Sequence, residues 1–247
     1  MFKNIILLLL LGHVIGDFYT QSRKMSEKKE KRLKWVVLHG IVYFIMMILV
    51  SVPIMSNSIF ITDIAVSIMH LLIDVAKFVY IKAKKRKIDE KRIFIIDQGM
   101  HIVCLMITAY IAVKMDILLV ELESFKDFFS VLNISEINIV KWVLALLIIH
   151  KPTNILIQKL TKEYKPAQSN QLFKRDNNAG RFIGSIERIV MLVLISLGQY
   201  SAIGFVLTAK SIARYDRISK DKEFAEYYLL GTLISTMLVL ICGRFLL

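Results

Sequence analysis

Long apolar segments alternate with short, strongly charged connections along this chain of 247 residues. Each segment approaches the roughly 20 residues that an α-helix needs to cross a bilayer. A shorter segment, 200–214, is predicted to fold back on the one before it as a re-entrant or interfacial hairpin that turns near Gly198 to Ser201. The pattern predicts an all-α fold, a polytopic transmembrane helical bundle of about six or seven spans. The expected spans are 4–20, 35–55, 59–81, 93–115, 139–158, 182–199 and 227–246.

The chain is predicted to form a single membrane domain in three parts. Residues 1–158 form a transmembrane helical region, 159–181 a basic cytoplasmic loop and 182–247 the C-terminal membrane helices. Lys and Arg concentrate in the connections 22–34 and 82–92, which the positive-inside rule assigns to the cytoplasm. We therefore expect a multi-pass protein whose N-terminus is external.

Composition agrees with this class and excludes others. Hydrophobic residues make up 56% of the chain and charged residues 21%, which fits apolar spans joined by charged loops rather than a soluble domain. The net charge of +13 could suggest nucleic acid, but the basic residues flank the apolar spans and form no domain of their own. Membrane lipids, and not nucleic acid, are the expected partners, and the oligomeric state stays open.

Three Asp/His pairs are the main chemical signal in the sequence. In each pair the two residues lie four positions apart within an apolar segment, which places both side chains on one face of a helix. Ionisable groups at membrane depth are costly and usually face a bundle interior or a cavity, so each pair is a candidate functional site. The pairs are His13 with Asp17, His70 with Asp74, and Asp97 with His101.

Helical rise places these six residues, together with His39, in the same half of the membrane. Counted inward from the basic connections at 1.5 Å per residue, they form two layers at depths of about 7–12 Å and about 13–18 Å. The opposite halves of the first four spans contain almost no ionisable residue apart from Lys3 and Asp63. Asp63 is expected to be solvated, because it lies near the end of its span.

Imidazole and carboxylate together suit Zn, Mn or Fe, so the cluster is predicted to bind a divalent metal. Seven ligands exceed the needs of one tetrahedral zinc, which leaves open two ions or one ion with supporting carboxylates. One of Asp17, Asp74 and Asp97 could act as a general base. The predicted ligands are His13, Asp17, His39, His70, Asp74, Asp97 and His101.

Three further residues are weaker candidates for contact with a substrate. Gln21 lies one turn beyond Asp17 and could orient a ligand or touch a substrate. Glu187 and Arg188 begin the sixth span, where a structural ion pair is one interpretation and contact with a phosphate head group the other.

Several of these segments resemble one known family. Gly12-His13-Val14-Ile15-Gly16-Asp17-Phe18-Tyr19-Thr20-Gln21 resembles the signature of a bacterial integral-membrane family, the domain of unknown function 3307. His39-Gly40, His70-Leu71-Leu72-Ile73-Asp74 and Asp97-Gln98-x-x-His101 resemble its remaining polar positions, and the stretches 180–188, 208–211 and 224–228 resemble a variant of it. The resemblance implies a location in the bacterial inner, or cytoplasmic, membrane and a recurring His/Asp set. It implies no activity.

Three functions are consistent with this sequence. The first is a membrane-embedded, metal-dependent hydrolase that acts on a lipid or other amphipathic substrate from the cytoplasmic leaflet. The second is a transporter of divalent metal or protons through the same cluster, and the third is a non-enzymatic sensor or scaffold with a structural metal. A transporter needs an outward path, and the few ionisable residues in the external halves favour the enzyme.

Overall fold

The computed structural model describes residues 1–54, 57–84, 89–117, 122–166 and 169–247. The side chains of 23, 57 and 169–179 also lie outside the described part. The same is true of Lys85, Arg86 and Lys87, which belong to the connection 82–92 that we assign to the cytoplasm. Within these ranges the chain is helical and contains no strand, which confirms the all-α fold class.

The helices are numbered in chain order, and the described residues form eleven α-helices with one π-helical and one 3₁₀ turn. Their bounds are α1 Phe2–Val14, a π-turn Ile15–Tyr19, α2 Arg23–Lys29, α3 Leu33–Ser51, α4 Asn57–Ala83, α5 Glu90–Lys114, α6 Glu123–Leu132, α7 Glu136–Thr161, a 3₁₀ turn Lys162–Tyr164, α8 Ser169–Ser196, α9 Tyr200–Ile212, α10 Tyr215–Lys220 and α11 Lys222–Leu246.

Six helical segments within the described ranges are long and apolar enough to cross a membrane, which is compatible with a membrane protein. They are Phe2–Tyr19, Leu33–Ser51, Ser58–Ala83, Glu90–Lys114, Glu136–Tyr164 and Lys222–Leu246. They correspond to six of the seven expected spans, and the expected span 182–199 is not among the segments found within the described ranges.

The chain divides into two compact units, Met1–Leu144 and Ala145–Leu247. In the first unit, α1, α3, α4 and α5 pack side by side around an apolar cluster. Polar caps fix where two of the helices begin: the Ser22 hydroxyl accepts the N–H of Met25, and the Asp89 carboxylate accepts two N–H groups at the start of α5. The cluster fills the half of these helices away from α2 and contains Ile5, Leu9, Tyr43, Met47, Ile59, Val66, Leu105, Ala109, Ala112 and Ile117.

The second unit contains a difference from the expected spans. Helix α8 begins at Ser169, so the predicted basic loop 159–181 is helical from that residue onward. The predicted hairpin turn is present: α8 ends at Ser196 and α9 begins at Tyr200. Gly198 allows this turn because its φ of +70° is one that side chains with a Cβ rarely adopt. The three-part division of a single membrane domain, and the topology of its loops, stay predictions.

Three glycines let α1 and its π-turn, α3 and α4 approach one another closely. A Cβ at Gly16 would lie 2.7 Å from the Tyr43 ring, and one at Gly40 would lie 2.9 Å from the end of the Leu71 side chain. Gly12 faces the flexible side chain of Met47 in the same way. Gly16 is the least tolerant of the three, since an aromatic ring packed inside a bundle cannot move aside as a methionine can.

We therefore expect Gly16→Ala to lower the free energy of unfolding by about 1–3 kcal/mol through overpacking against Tyr43. Thermal unfolding of the detergent-purified protein measures the change. Gly99→Ala is the matched control, because a Cβ there meets nothing within 4 Å. Equal unfolding temperatures for the two variants would contradict the close approach of the π-turn and α3.

Candidate metal centre

The seven predicted ligands come together inside the first unit. They lie on α1, the π-turn, α3, α4 and α5, and none exposes more than 8% of its surface. The convergence inferred from depth is therefore present as contact between side chains of different helices. The residues are His13, Asp17, His39, His70, Asp74, Asp97 and His101.

Four of these side chains form the tightest part of the cluster. His39 Nε2 lies 3.2 Å from Asp17 Oδ1 and 3.2 Å from His70 Nε2. Asp74 Oδ2 lies 3.5 Å from His70 Nε2 and 3.7 Å from His39 Nε2. Zinc bonds of about 2.0–2.1 Å in a tetrahedron separate neighbouring donor atoms by about 3.3 Å. The four distances are close to the spacing of neighbouring donors around one zinc ion, although Asp17 and Asp74 belong to different donor groups.

Two groups of donor atoms satisfy the spacing for a metal ion, and they share one residue. Asp17, His39 and His70 form the first group, and His70, Asp74 and His101 form the second. A neutral imidazole offers a single lone pair, so His70 can bind only one ion at a time. The two groups are best understood as one centre with alternative donors, and a second ion would need ligands from the remaining residues.

The remaining predicted ligands have polar atoms with no hydrogen-bond partner among the described residues. These atoms are His13 Nε2, His101 Nε2 and Asp97 Oδ1, and all three are buried. His101 Nε2 lies 3.8 Å from Asp97 Oδ1. Buried polar atoms usually have partners, so atoms of this kind inside a His/Asp cluster fit the donor set of a metal centre.

A π-helical turn positions Asp17. The turn over Ile15–Tyr19 continues directly from α1, and the Thr20 N–H donates to the Ile15 carbonyl at 3.0 Å. A π-turn adds one residue to the helical repeat and so rotates the residues after it, a feature frequent at functional sites. Asp17 contacts His39 of α3, and its other oxygen accepts the amide of Gln98 of α5 at 2.8 Å.

Tyr43 is a member of the cluster that was not predicted from the sequence. Its ring stacks on the His70 ring with centroids 3.7 Å apart and planes 7° from parallel, and its hydroxyl lies 3.3 Å from His13 Nδ1. His101 stacks on His70 at 4.3 Å. The position of Tyr43, four residues after His39, was the available signal, since that spacing places both side chains on one face of α3.

Two lysines bind the carboxylates of the centre and were also missed. Lys29 Nζ donates to Asp74 Oδ2 at 2.7 Å and to Gln21 Oε1 at 2.9 Å, which brings Gln21 to the edge of the centre. Lys77 Nζ donates to Asp97 Oδ2 at 2.7 Å. The two side chains are 11% and 29% exposed, so they lie between the buried ligands and the surface. Lys77 could have been found as a charged residue within an apolar span, three positions after Asp74.

Glu187 and Arg188 lie in the second unit, where each has a partner. The Glu187 carboxylate accepts from the Lys210 ammonium. The Arg188 guanidinium is buried and donates to the Ile149 carbonyl at 2.6 Å and to Asn154 Oδ1 at 2.7 Å, with longer bonds to two serines. These bonds favour the structural interpretation of Arg188 over contact with a substrate.

Comparison with known proteins assigns this chain to a family. The model of the family described as "Protein of unknown function (DUF3307)" matches residues 5–130, just over half of the chain. The chain belongs to this family. The matched region contains all seven residues of the candidate metal centre, and it excludes the unit that holds Arg188. No curated protein and no solved structure matches the chain.

We expect Arg188→Met to lower the free energy of unfolding by about 1–3 kcal/mol, because it leaves buried oxygen acceptors without a donor. The metal content of the purified protein should stay unchanged. Thermal unfolding and metal analysis of the same sample measure both quantities. Loss of metal without loss of stability would show instead that Arg188 acts on the centre.

We also expect His70→Ala to abolish stable metal binding, since His70 is common to both donor groups. The fall in affinity should exceed the roughly 10–100-fold that results from loss of a residue supporting a ligand. Elemental analysis of the protein after dialysis against zinc measures the bound metal. His150→Ala is the control, because His150 is an exposed histidine of the second unit. Equal metal content in the two variants would contradict the assignment of His70.

Proposed function

We propose that this protein is a membrane-embedded, metal-dependent hydrolase that acts on a lipid or other amphipathic substrate. The observation that carries the proposal is that the three buried carboxylates differ in whether they belong to a group of potential metal donors. Asp17 and Asp74 belong to the donor groups, whereas Asp97 belongs to neither. A hydrolytic metal centre needs both ligands and a base beside them, and this cluster offers both.

Asp97 is the best candidate for the general base. One of its oxygens is held by Lys77, while Oδ1 is buried and has no hydrogen-bond donor among the described residues. Lys77 and Gln98 fix the orientation of the carboxylate from one side. Oδ1 can therefore accept a proton from water without breaking an existing hydrogen bond. His101 Nε2 lies 3.8 Å from Asp97 Oδ1 and could accept the proton from it.

The donor set suits Zn, Mn or Fe, and its mixture of imidazole and carboxylate does not separate them. Asp17, His39, His70 and Asp74 would hold one ion, and His101 could replace one of them. A bound divalent ion would lower the pKa of a coordinated water and polarise the scissile group of the substrate. A second ion would draw on His13, Asp97 and His101, in which case Asp97 would be a ligand.

Charge around the centre favours an anionic substrate. Lys29 and Lys77 neutralise two of the three carboxylates at the ligand layer. A divalent ion would therefore give the centre a net positive charge, and this charge would lie in a medium of low dielectric constant. Both ammonium groups lie on the surface side of the ligands, where they could contact the phosphate of a head group as its ester bond reaches the metal.

The end of the bundle that bears the lysines also bears the described basic residues of the connections 22–34 and 82–92. We propose that this end faces the cytoplasm, that the N-terminus is external and that the membrane is the bacterial inner membrane. The head group of a lipid in the cytoplasmic leaflet would then reach the metal centre before its acyl chains. The exposed apolar side chains of α3, α4 and α5 would contact the acyl chains of the surrounding lipid.

We expect Asp97→Asn to lower hydrolysis by about 100-fold or more, because an amide cannot accept the proton from the attacking water. The test is release of the water-soluble head group or phosphate from mixed micelles of phosphatidic acid and phosphatidylglycerol, with zinc-loaded protein. Metal content should be the same as in the wild-type protein.

Asp127→Asn, which changes an exposed carboxylate of α6, is the matched control and should keep full activity. Wild-type protein that binds metal and releases nothing from either phospholipid would contradict the proposed substrate class. Full activity in Asp97→Asn would contradict the assigned base.

A further inference from the structure

A buried polar stripe runs along α4 from the metal centre into the opposite half of the helix. Asp63, Ser67, His70 and Asp74 succeed one another at intervals of four, three and four residues, which keeps them on one helical face. All four are buried, with exposed fractions between 1% and 7%. The centre and Asp63 thus belong to the same interior surface, and seven residues, about 10 Å, separate Asp63 from His70.

Asp63 is not solvated, which corrects the expectation from the sequence. It is 1% exposed, although it lies only five residues from the start of the apolar span Ser58–Ala83. Its Oδ1 atom has no hydrogen-bond donor among the described residues, and the Ser67 hydroxyl is likewise buried without a partner there. Asp63 and Ser67 are therefore left with unused hydrogen-bonding capacity within an apolar bundle.

The surroundings of Asp63 favour a bound cation. Ser51, whose side chain faces Asp63, is the last residue of α3, so the carboxyl group lies near the negative end of a helix dipole. Within the described ranges, no Lys, Arg or His forms an ion pair with Asp63. A buried carboxylate without a cationic partner is unfavourable, and a bound cation relieves the cost.

The cation that fits is a proton. Asp63 shares its face of α4 with Ile59 and Val66 of the apolar cluster, and the buried hydroxyls of Ser51 and Ser67 are the oxygens we assign to its surroundings. Hard metal ions take six or more oxygen ligands, far more than these three side chains supply. A proton needs one carboxylate oxygen and a route to the next acceptor.

A small cavity supplies part of such a route. It is lined by His70, His101, Val66 and Thr108, among others, and so extends from the imidazole layer toward the level of Asp63. Helices α4 and α5 pack together, and Val66 of α4 and Thr108 of α5 both line the cavity. The Tyr43 side chain, whose hydroxyl lies beside His13, also lines this cavity.

We propose that Asp63 is the proton-binding residue at the far end of a proton path that reaches the His/Asp centre through Ser67 and this cavity. The proton leaves a carboxyl oxygen of Asp63, passes along the hydroxyl of Ser67 and water in the cavity, and reaches the centre, leaving Asp63 as a carboxylate until it is protonated again. The path can be tested separately from hydrolysis, because Asp63 is not among the predicted metal ligands.

Proton flux into proteoliposomes tests the path directly. The full-length protein is reconstituted with a pH-sensitive dye inside, and a potassium gradient with valinomycin drives proton entry. We expect Asp63→Asn to lower the protein-dependent flux by about tenfold or more, because an amide cannot bind and release the proton. Asp63→Glu should retain a substantial part of the flux, and Ser67→Ala should lower it less than Asp63→Asn does.

Asp116→Asn is the matched control, since Asp116 is an exposed carboxylate whose φ of +50° an asparagine also accepts. Equal flux in Asp63→Asn and in this control would overturn the proposal, as would wild-type flux no greater than that of protein-free liposomes. Bound zinc and a single elution peak verify that each variant is folded. If Asp63→Asn is not folded by these criteria, Ser67→Ala tests the proposal instead. Proton flux in Ser67→Ala must then fall below that of the wild-type protein. No substrate is added, so failure of the hydrolase proposal leaves this result unaffected.

Discussion

The free energy needed to bury ionisable groups in an apolar bundle is the constraint on which this structure depends. Seven imidazole and carboxylate side chains lie in the interior of the first unit, and none could remain there alone at a tolerable cost. Each is stabilised by groups from other helices, so α1, α3, α4 and α5 must all be in place before any of the seven is satisfied. Lys29 and Lys77 complete this arrangement by neutralising two carboxylates at the surface side. Function and folding of this unit are therefore difficult to separate.

The second unit meets the same constraint in a different way. Pro152 lacks an N–H, so α7 loses one backbone hydrogen bond. The Thr153 hydroxyl donates instead to the Ile148 carbonyl at 2.8 Å. The Arg188 side chain donates to the next carbonyl, that of Ile149, and to polar side chains of α7, α8 and α11. Its hydrogen bonds are satisfied within the protein, which is typical of a structural role. The His/Asp centre and Asp63 differ from Arg188, because some of their buried polar atoms have no hydrogen-bond partner among the described residues.

Much of the fold, and the membership of the candidate centre, could be predicted from the sequence. Hydropathy identifies apolar helices well, and the interval of four residues brought His70 and Asp74, or Asp97 and His101, to one face of a helix. Contacts that depend on another helix could not be predicted, such as Lys29 on Asp74 or Tyr43 stacked on His70. The π-turn at Asp17 and the early start of α8 depend on local backbone geometry that hydropathy does not report. Asp63 was misjudged because burial near the end of a span is decided by neighbouring helices.

The central claim is that Asp17, His39, His70 and Asp74 converge on one divalent ion. X-ray absorption at the zinc edge of the zinc-loaded protein tests this claim most directly. We predict a mixed nitrogen and oxygen shell of about four atoms at about 2.0–2.1 Å, with the outer-shell scattering of about two imidazoles. The imidazole contribution should fall in His39→Ala. A shell of oxygen atoms without imidazole scattering, or zinc that dialysis removes completely, would contradict the account.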